Sequence, residues 1–100
     1  MQLDHVVFNT RDRTDEIVEA FTHLGFQVSE RGFHSLGSIN HTIVLEGTYL
    51  ELLGYPPEAP PAKRPELVSR PLGWMATVLA TDDADRTRTA LLAAGLAARP

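Results

Sequence analysis

The fold is decided by residues 3–26, which read LDHVVFNTRDRTDEIVEAFTHLGF. Residues 3–9 alternate as a β-strand with apolar side chains on both faces, which is typical of a strand covered on both sides. Residues 13–24 carry apolar side chains at helical spacing; Asp12 is placed to cap this helix and Gly25 to stop it. The stretch therefore predicts a strand followed by an amphipathic helix.

Three further strands are predicted after this helix. Residues 27–33 are a weak candidate, whereas residues 39–45 and 48–53 flank a two-residue turn and pair naturally as a hairpin. Residues 1–54 therefore predict one complete module with the order β, α, β, β, β.

The remainder of the chain divides into a connector and a partial repeat. Residues 55–72 hold six of the seven prolines, which favour extended conformations and cannot donate to a sheet. Residues 73–100 repeat the opening pattern, because residues 77–81 align with residues 6–10 and are followed by an acidic helix start and a glycine stop. We expect a second, truncated module here; the alternative is a coincidence between two unrelated strand and helix pairs.

Composition excludes several classes of protein. The chain has 100 residues, 43% of them hydrophobic, a formal net charge of −4 and no cysteine. This composition predicts a globular domain without the basic surface that nucleic acid requires. No apolar run reaches the length of a membrane span and no signal sequence is present, so we expect a cytoplasmic protein. Without cysteine, any metal would be held by histidine and carboxylate.

Three short motifs resemble one known family. The segments LDHVV at residues 3–7, LGF at 24–26 and YLELL at 49–53, with a glycine-containing loop at 32–40, are similar to the glyoxalase-like branch of the vicinal oxygen chelate superfamily. The resemblance implies an α+β fold, in which a βαβββ module with a cupped mixed sheet is followed by the βα start of a second module. It also implies a small molecule or a metal in the cup. The superfamily includes lyases, isomerases, dioxygenases and non-catalytic drug-binding proteins.

The resemblance assigns two metal ligands, His5 on the first strand and Glu51 on the fourth. Imidazole and carboxylate suit one divalent ion of Fe, Mn, Ni, Co or Zn, and Glu51 is also a candidate catalytic general acid or base. A third ligand is expected on the second module, but the repeat places Ala76 there, which argues against a metal. The alternatives are a half-buried, hydrogen-bonded imidazole for His5 and an exposed edge position for Glu51.

Four further residues are candidates for ligand binding. Tyr49 shares the face of Glu51, His34 lies in a loop, His41 lies on the preceding strand, and Trp74 begins the strand after the connector. Each also has a structural interpretation, since Tyr49 would serve as a cross-strand aromatic and His41 and Trp74 as packed residues.

These observations lead to three hypotheses of function. The first is a glyoxalase-like domain that acts on a small molecule, as a divalent-metal-dependent lyase, isomerase or dioxygenase. The second is a non-catalytic module that binds or sequesters a small apolar molecule. The third is an assembly unit that pairs through its open sheet edge. We expect a homodimer in each case, because an unpaired sheet edge favours association with another chain.

Overall fold

The computed structural model describes residues 2–97, which form the predicted α+β arrangement. The elements are, in chain order, β1 (Gln2–Arg11), α1 (Thr14–His23), β2 (Gly32–Phe33), β3 (Ile39–Leu45), β4 (Thr48–Gly54), α2 (Pro65–Ser69), β5 (Gly73–Ala80) and α3 (Ala84–Ala93). The strands form one mixed sheet in the order β2-β3-β4-β1-β5, with β1 parallel to β4 and antiparallel to β5. The predicted βαβββ order is confirmed. None of the described helices is long and apolar enough to cross a membrane.

One face of the sheet is covered by α1. Side chains alternate between the two faces of a strand, and Phe8 on β1 makes an edge-to-face contact with Phe21 on α1 at a centroid distance of 6.5 Å. Leu52, which is paired with Phe8, is fully buried, and Ile43 on β3 is 2% exposed. Burial of such side chains, at about 1.5–3 kcal/mol each, stabilises α1 on this helix-covered face.

The opposite face of the sheet, which we call the open face, carries His5 and Glu51. At one end it is covered by the connector helix α2. A buried cluster forms there between the sheet and the connector from Val7, Leu53, Tyr55 and Leu67. Its position leaves His5 and Glu51 at the other, uncovered end of the face.

Asn9 attaches α2 to β1. The Asn9 side chain is fully buried, and its Nδ2 atom donates to the carbonyl oxygens of Leu67, Arg70 and Pro71 at 3.2, 3.3 and 3.4 Å. The last carbonyl groups of a helix have no partner within the helix, and the bonds to Leu67 and Arg70 supply partners at the end of α2. The connector is therefore anchored to the sheet at this point.

Three local predictions are wrong. Helix α1 begins at Thr14 without a side-chain cap, so Asp12 does not cap it; Arg11, with a φ of 54°, extends β1 and delays the helix. Residues 27–33 contribute a two-residue strand and one isolated bridge, less than the strand expected. Helix α2 was not predicted, although Pro65 is well tolerated in the first turn of a helix, where its missing N–H is not needed.

Strand β5 pairs with β1 in the antiparallel direction. Val6 pairs with Thr77, which is the residue that the predicted repeat aligns with it, and Val7 pairs with Ala76, which the repeat aligns with His5. Among residues 2–97, no strand pairs with the outer edge of β5, and α3 contains no buried residue. At the β5 edge of the sheet, both β5 and α3 thus have a surface that no other described element covers.

Candidate functional site

His5 and Glu51 lie side by side at the uncovered end of the open face. The Nε2 atom of His5 is 3.4 Å from the Oε1 atom of Glu51, and the two side chains are 14% and 16% exposed. Parallel pairing of β1 with β4 produces this proximity, because it sets His5 opposite Tyr49 and Val7 opposite Glu51 on one face. The two residues predicted from separate motifs are therefore brought together.

The Asp4 carboxylate contacts the Nδ1 side of the His5 ring. The Oδ2 atom of Asp4 is 2.6 Å from Nδ1 of His5. An ionised carboxylate only accepts hydrogen bonds, so Nδ1 of His5 is the donor in this contact. In the neutral ring, Nε2 then presents a lone pair to the Glu51 carboxylate, and a distance of 3.4 Å exceeds the usual range for a hydrogen bond. Two electron-pair donors that face one another in this way are suited to share a cation.

Asn40 orients the Glu51 carboxylate from the other side. Its Nδ2 atom donates to Oε2 of Glu51 at 3.1 Å. Thr42 on β3 is paired with Glu51, so Asn40, two residues before Thr42, lies on the same face. This bond leaves Oε1 of Glu51 directed at His5.

Tyr49 stacks on the His5 ring. The two rings are nearly parallel, with an interplanar angle of 8° and centroids 4.4 Å apart. Desolvation raises the pKa of the Tyr49 hydroxyl above its ordinary value, and the negative charges of Asp4 and Glu51 raise this pKa further. Tyr49 therefore forms the wall of the site beside His5, in agreement with its predicted position on the Glu51 face.

We expect Tyr49 to titrate above pH 10, its ordinary value. Absorbance titration of the phenolate in a Tyr55→Phe background isolates Tyr49, because the chain has two tyrosines. The pKa of Tyr49 is higher in the folded than in the unfolded protein. The stability that this shift contributes is therefore complete below the unfolded pKa and is lost as pH rises through the folded pKa. Glu51→Gln should lower the Tyr49 pKa while the effect of desolvation remains. A Tyr49 pKa at or below the ordinary value in the folded protein would contradict this.

The other three predicted ligand-binding residues lie away from this pair. His41 is buried on the helix-covered face, where Nδ1 bonds the Ser29 carbonyl and Nε2 accepts from Arg31 at 3.3 Å. His34 is exposed in the turn that joins β2 to β3, at the far end of the sheet. Trp74 is 68% exposed and pairs with Phe8, because a register shift in β1–β5 rotates it onto the helix-covered face.

The donor set fits one half of a divalent metal site. Two ligands bonded to a tetrahedral ion at roughly 2.1 Å lie about 3.4 Å apart, which matches the separation of the His5 and Glu51 atoms. A carboxylate at the second ring nitrogen, as Asp4 is at Nδ1 of His5, is common among histidines that bind metals. Among the described residues, no group of three His, Cys, Asp or Glu side chains could enclose an ion. Ala76, which the predicted repeat aligns with His5, offers no ligand.

Sequence reasoning did not identify Asp4 and Asn40 as part of this site. Asp4 is adjacent to His5, and regular alternation would place its side chain on the opposite face. Asn40 precedes His41 on β3, where the sequence pattern marks the alternate, buried positions Ile39, His41 and Ile43. The available signal was alternation itself, since Asn40 must face away from His41 and hence toward the open face.

Comparisons with known proteins agree with this fold. A family model described as a glyoxalase-like domain matches residues 3–100. A hypothetical protein from Bacillus halodurans C-125 superposes with a TM-score of 0.67 at 16% identity, over 94% of this chain and 68% of that one. Methylmalonyl-CoA epimerase from Mycobacterium tuberculosis gives 0.61 at 21% identity, over 94% and 64%. The chain thus spans about two thirds of both structures. No curated protein matches it.

Proposed function

The chain belongs to the glyoxalase-like domain family, and from this premise we propose that its open face binds a small molecule at a divalent-metal half-site formed by His5 and Glu51. The observation that carries the proposal is the 3.4 Å approach of Nε2 of His5 to Oε1 of Glu51, with both partners oriented by other residues. A lyase, isomerase or dioxygenase reaction would use such a site.

Two side chains of this site would hold the metal ion, and others would enclose the small molecule. His5 and Glu51 would hold Fe, Mn, Ni, Co or Zn, which when bound polarises oxygen atoms of a chelating substrate. Tyr49 restricts rotation of the His5 ring. Ala76 and Val78 pack against the buried cluster beside Val7 and supply an apolar wall for the rest of the ligand. Without a metal, Oε1 of Glu51 is free to accept a proton from a substrate C–H or O–H that lies beside it.

Metal titration tests this proposal directly. We expect calorimetry with Co²⁺, Mn²⁺, Ni²⁺, Fe²⁺ and Zn²⁺, each in turn, to show one ion per chain for at least one metal. His5→Ala and Glu51→Gln should each weaken binding by roughly 100-fold or more, about 3 kcal/mol, because each removes one of two ligands.

The control for this titration is His23→Ala. His23 is an exposed histidine at the end of α1, so its loss tests for adventitious surface binding. Equal affinity in wild type, His5→Ala and Glu51→Gln would refute the metal half-site, as would the absence of binding for all five ions.

Ala76 favours a second candidate function, which is metal-free binding of an apolar molecule on the open face. Ala76 stands where the predicted repeat would place a third ligand, and Ala76, Val78 and Tyr49 offer an apolar surface. In that case, planar apolar compounds should shift the ¹⁵N–¹H resonances of Tyr49 and Val78 in metal-free protein. Resonances that stay unchanged across a library of such compounds would count against this candidate.

We also propose that the chain forms a homodimer through β5 and α3. The outer edge of β5 is unpaired among the described residues, and Leu92 on α3 is 45% exposed. An edge of this kind readily adds a strand from another chain. Sedimentation at micromolar concentration should therefore show a dimer that Leu92→Asp weakens, since this change places a charge on the exposed apolar side of α3. A folded chain that remains monomeric at this concentration would contradict the proposal.

A further inference from the structure

We propose that Asp4 and Asn40 are positioning residues that direct Nε2 of His5 and Oε1 of Glu51 toward one point. The inference rests on the proposed function, because that point is where the cation would be held. Each of the two outer residues occupies the atom of its partner that faces away from the site. The arrangement thus leaves one donor atom of His5 and one of Glu51 available.

A register shift directs the Asp4 side chain toward the His5 ring. Pairing between β1 and β5 is regular on both sides of Asp4, but the register changes between Leu3 and His5. A bulge of this kind redirects a side chain that would otherwise follow the alternation of the strand. The backbone at Asp4 is further held by Thr48, whose hydroxyl donates to its carbonyl oxygen at 2.8 Å. Asp4 is therefore held in place to accept the Nδ1 proton.

A glycine makes room for the Asn40 side chain. Gly32 pairs with Asn40 across β2 and β3, and a Cβ atom on Gly32 would overlap the Oδ1 atom of Asn40. Gly32 is not among the glycines with positive φ, so its backbone conformation does not require glycine. Its lack of a side chain instead allows Asn40 to lie over the strand and reach Glu51.

A purely structural role explains these contacts less well. The Asp4 side chain is 46% exposed, and an interaction with this exposure adds little to stability. The Asn40 bond ends on the Glu51 carboxylate, whose other near neighbour is His5. Both contacts orient a donor atom: the Asp4 contact directs Nε2 of His5, and the Asn40 bond directs Oε1 of Glu51.

The protonated nitrogen of His5 can be measured without any metal. Long-range ¹⁵N–¹H correlation on the metal-free 100-residue chain at alkaline pH reports both ring nitrogens, and His5→Gln identifies the His5 signals among four histidines. We expect the proton on Nδ1 in wild type and a shift toward Nε2 in Asp4→Ala. Asp4→Asn, which keeps an acceptor oxygen, should retain much of the wild-type pattern. A wild-type proton on Nε2, or on both nitrogens, would overturn the inference.

The bond from Asn40 also has a metal-free readout. Exchange of the Asn40 side-chain amide protons with solvent should be slower in wild type than in Glu51→Ala. Gly32→Ala should speed this exchange as well, because it displaces the Asn40 side chain. Identical exchange rates in all three proteins would refute the role of Asn40.

Cobalt affinity then measures the consequence for the site. Loss of an outer-shell partner typically weakens metal binding by about 10–100-fold, and we expect this loss in Asp4→Ala and Asn40→Ala. The matched control is Glu46→Ala, which removes the same charge from an exposed carboxylate in the nearby β3–β4 turn. Unchanged cobalt affinity in Asp4→Ala and Asn40→Ala would overturn the positioning role of Asp4 and Asn40 but leave the metal site of His5 and Glu51 intact. If wild type binds a different one of the five ions, that ion replaces cobalt in this comparison. If it binds none of the five, the proposed function fails, and the ring-nitrogen and exchange results still decide the inference.

Discussion

Replacement of Gly54 by alanine should lower the free energy of unfolding by about 3–4 kcal/mol, a large part of the total for a domain of this size. A Cβ atom at this position would lie 2.5 Å from the carbonyl oxygen of Arg11 and would also overlap the hydroxyl oxygens of Thr10 and Thr14. The conflict is severe because one neighbour is backbone, which cannot rotate away as a side chain can.

The neighbours of Gly54 are joined to one another by buried hydrogen bonds. The hydroxyls of Thr10 and Thr14 are 2.7 Å apart, and Thr10 donates to the Leu53 carbonyl at 3.2 Å. The Arg11 carbonyl accepts from the Tyr55 amide at 3.0 Å. A shift large enough to admit a methyl group would break some of these bonds, each at a cost of about 1–3 kcal/mol when the group stays buried.

Chemical denaturation of Gly54→Ala beside Gly47→Ala tests this prediction. Both changes add the same methyl group and affect the unfolded chain alike, but Gly47 has open space around its Cβ position and a φ of 77°. We expect a loss of roughly 1 kcal/mol at Gly47 from its backbone conformation alone. If Gly54→Ala proved no more destabilising than Gly47→Ala, the close packing described around Gly54 would be wrong.

Sequence patterns correctly predicted those features that depend on a single strand or helix. Alternation placed Tyr49 and Glu51 on one face of β4, and helical spacing located α1 to within a residue at each end. The resemblance then paired His5 with Glu51, two residues that no local pattern connects. Their separation of 3.4 Å is set by the parallel register of β1 and β4.

Features that depend on strand register were not predictable in the same way. Trp74 would share a face with Ala76 if β5 alternated regularly, but the register shift in β1–β5 moves it to the other face. Asp4 is redirected by a second shift in the same pair of strands. Such shifts arise from the fit between two chain segments, so neither segment alone reveals them.

The connector shows how tertiary contacts override composition. Six prolines predicted an extended linker, yet α2 forms within it and inserts Leu67, which is fully buried. A five-residue helix is too short to be stable alone. Its stability must come from burial of Leu67 and from the bonds of Asn9 to its terminal carbonyls.

Leu67→Ala should accordingly destabilise the whole domain, by about 2–5 kcal/mol, as expected when a buried leucine is truncated and leaves a cavity. A flexible linker would show almost no effect from the same change. Leu67 belongs to one buried cluster with Val7, Leu53 and Tyr55, so the cavity would open against β1 and β4, the strands that carry His5 and Glu51. Truncation should therefore also loosen the site, and amide hydrogen exchange at Val7 and Leu53 should accelerate with the loss of stability.

The matched control is the next residue of the same helix. Val68 is 38% exposed, so Val68→Ala removes apolar atoms from α2 with little cavity and should cost under about 1 kcal/mol. Thermal and denaturant unfolding of both variants, followed by circular dichroism, would measure the difference. Equal stability of Leu67→Ala and Val68→Ala would mean that α2 is not docked, and the connector would then be the linker that its prolines predict. A large difference would instead show that α2, within residues 55–72, is a packed part of the domain. Substitutions in the connector could then alter the position of His5 and Glu51 on the same face of the sheet.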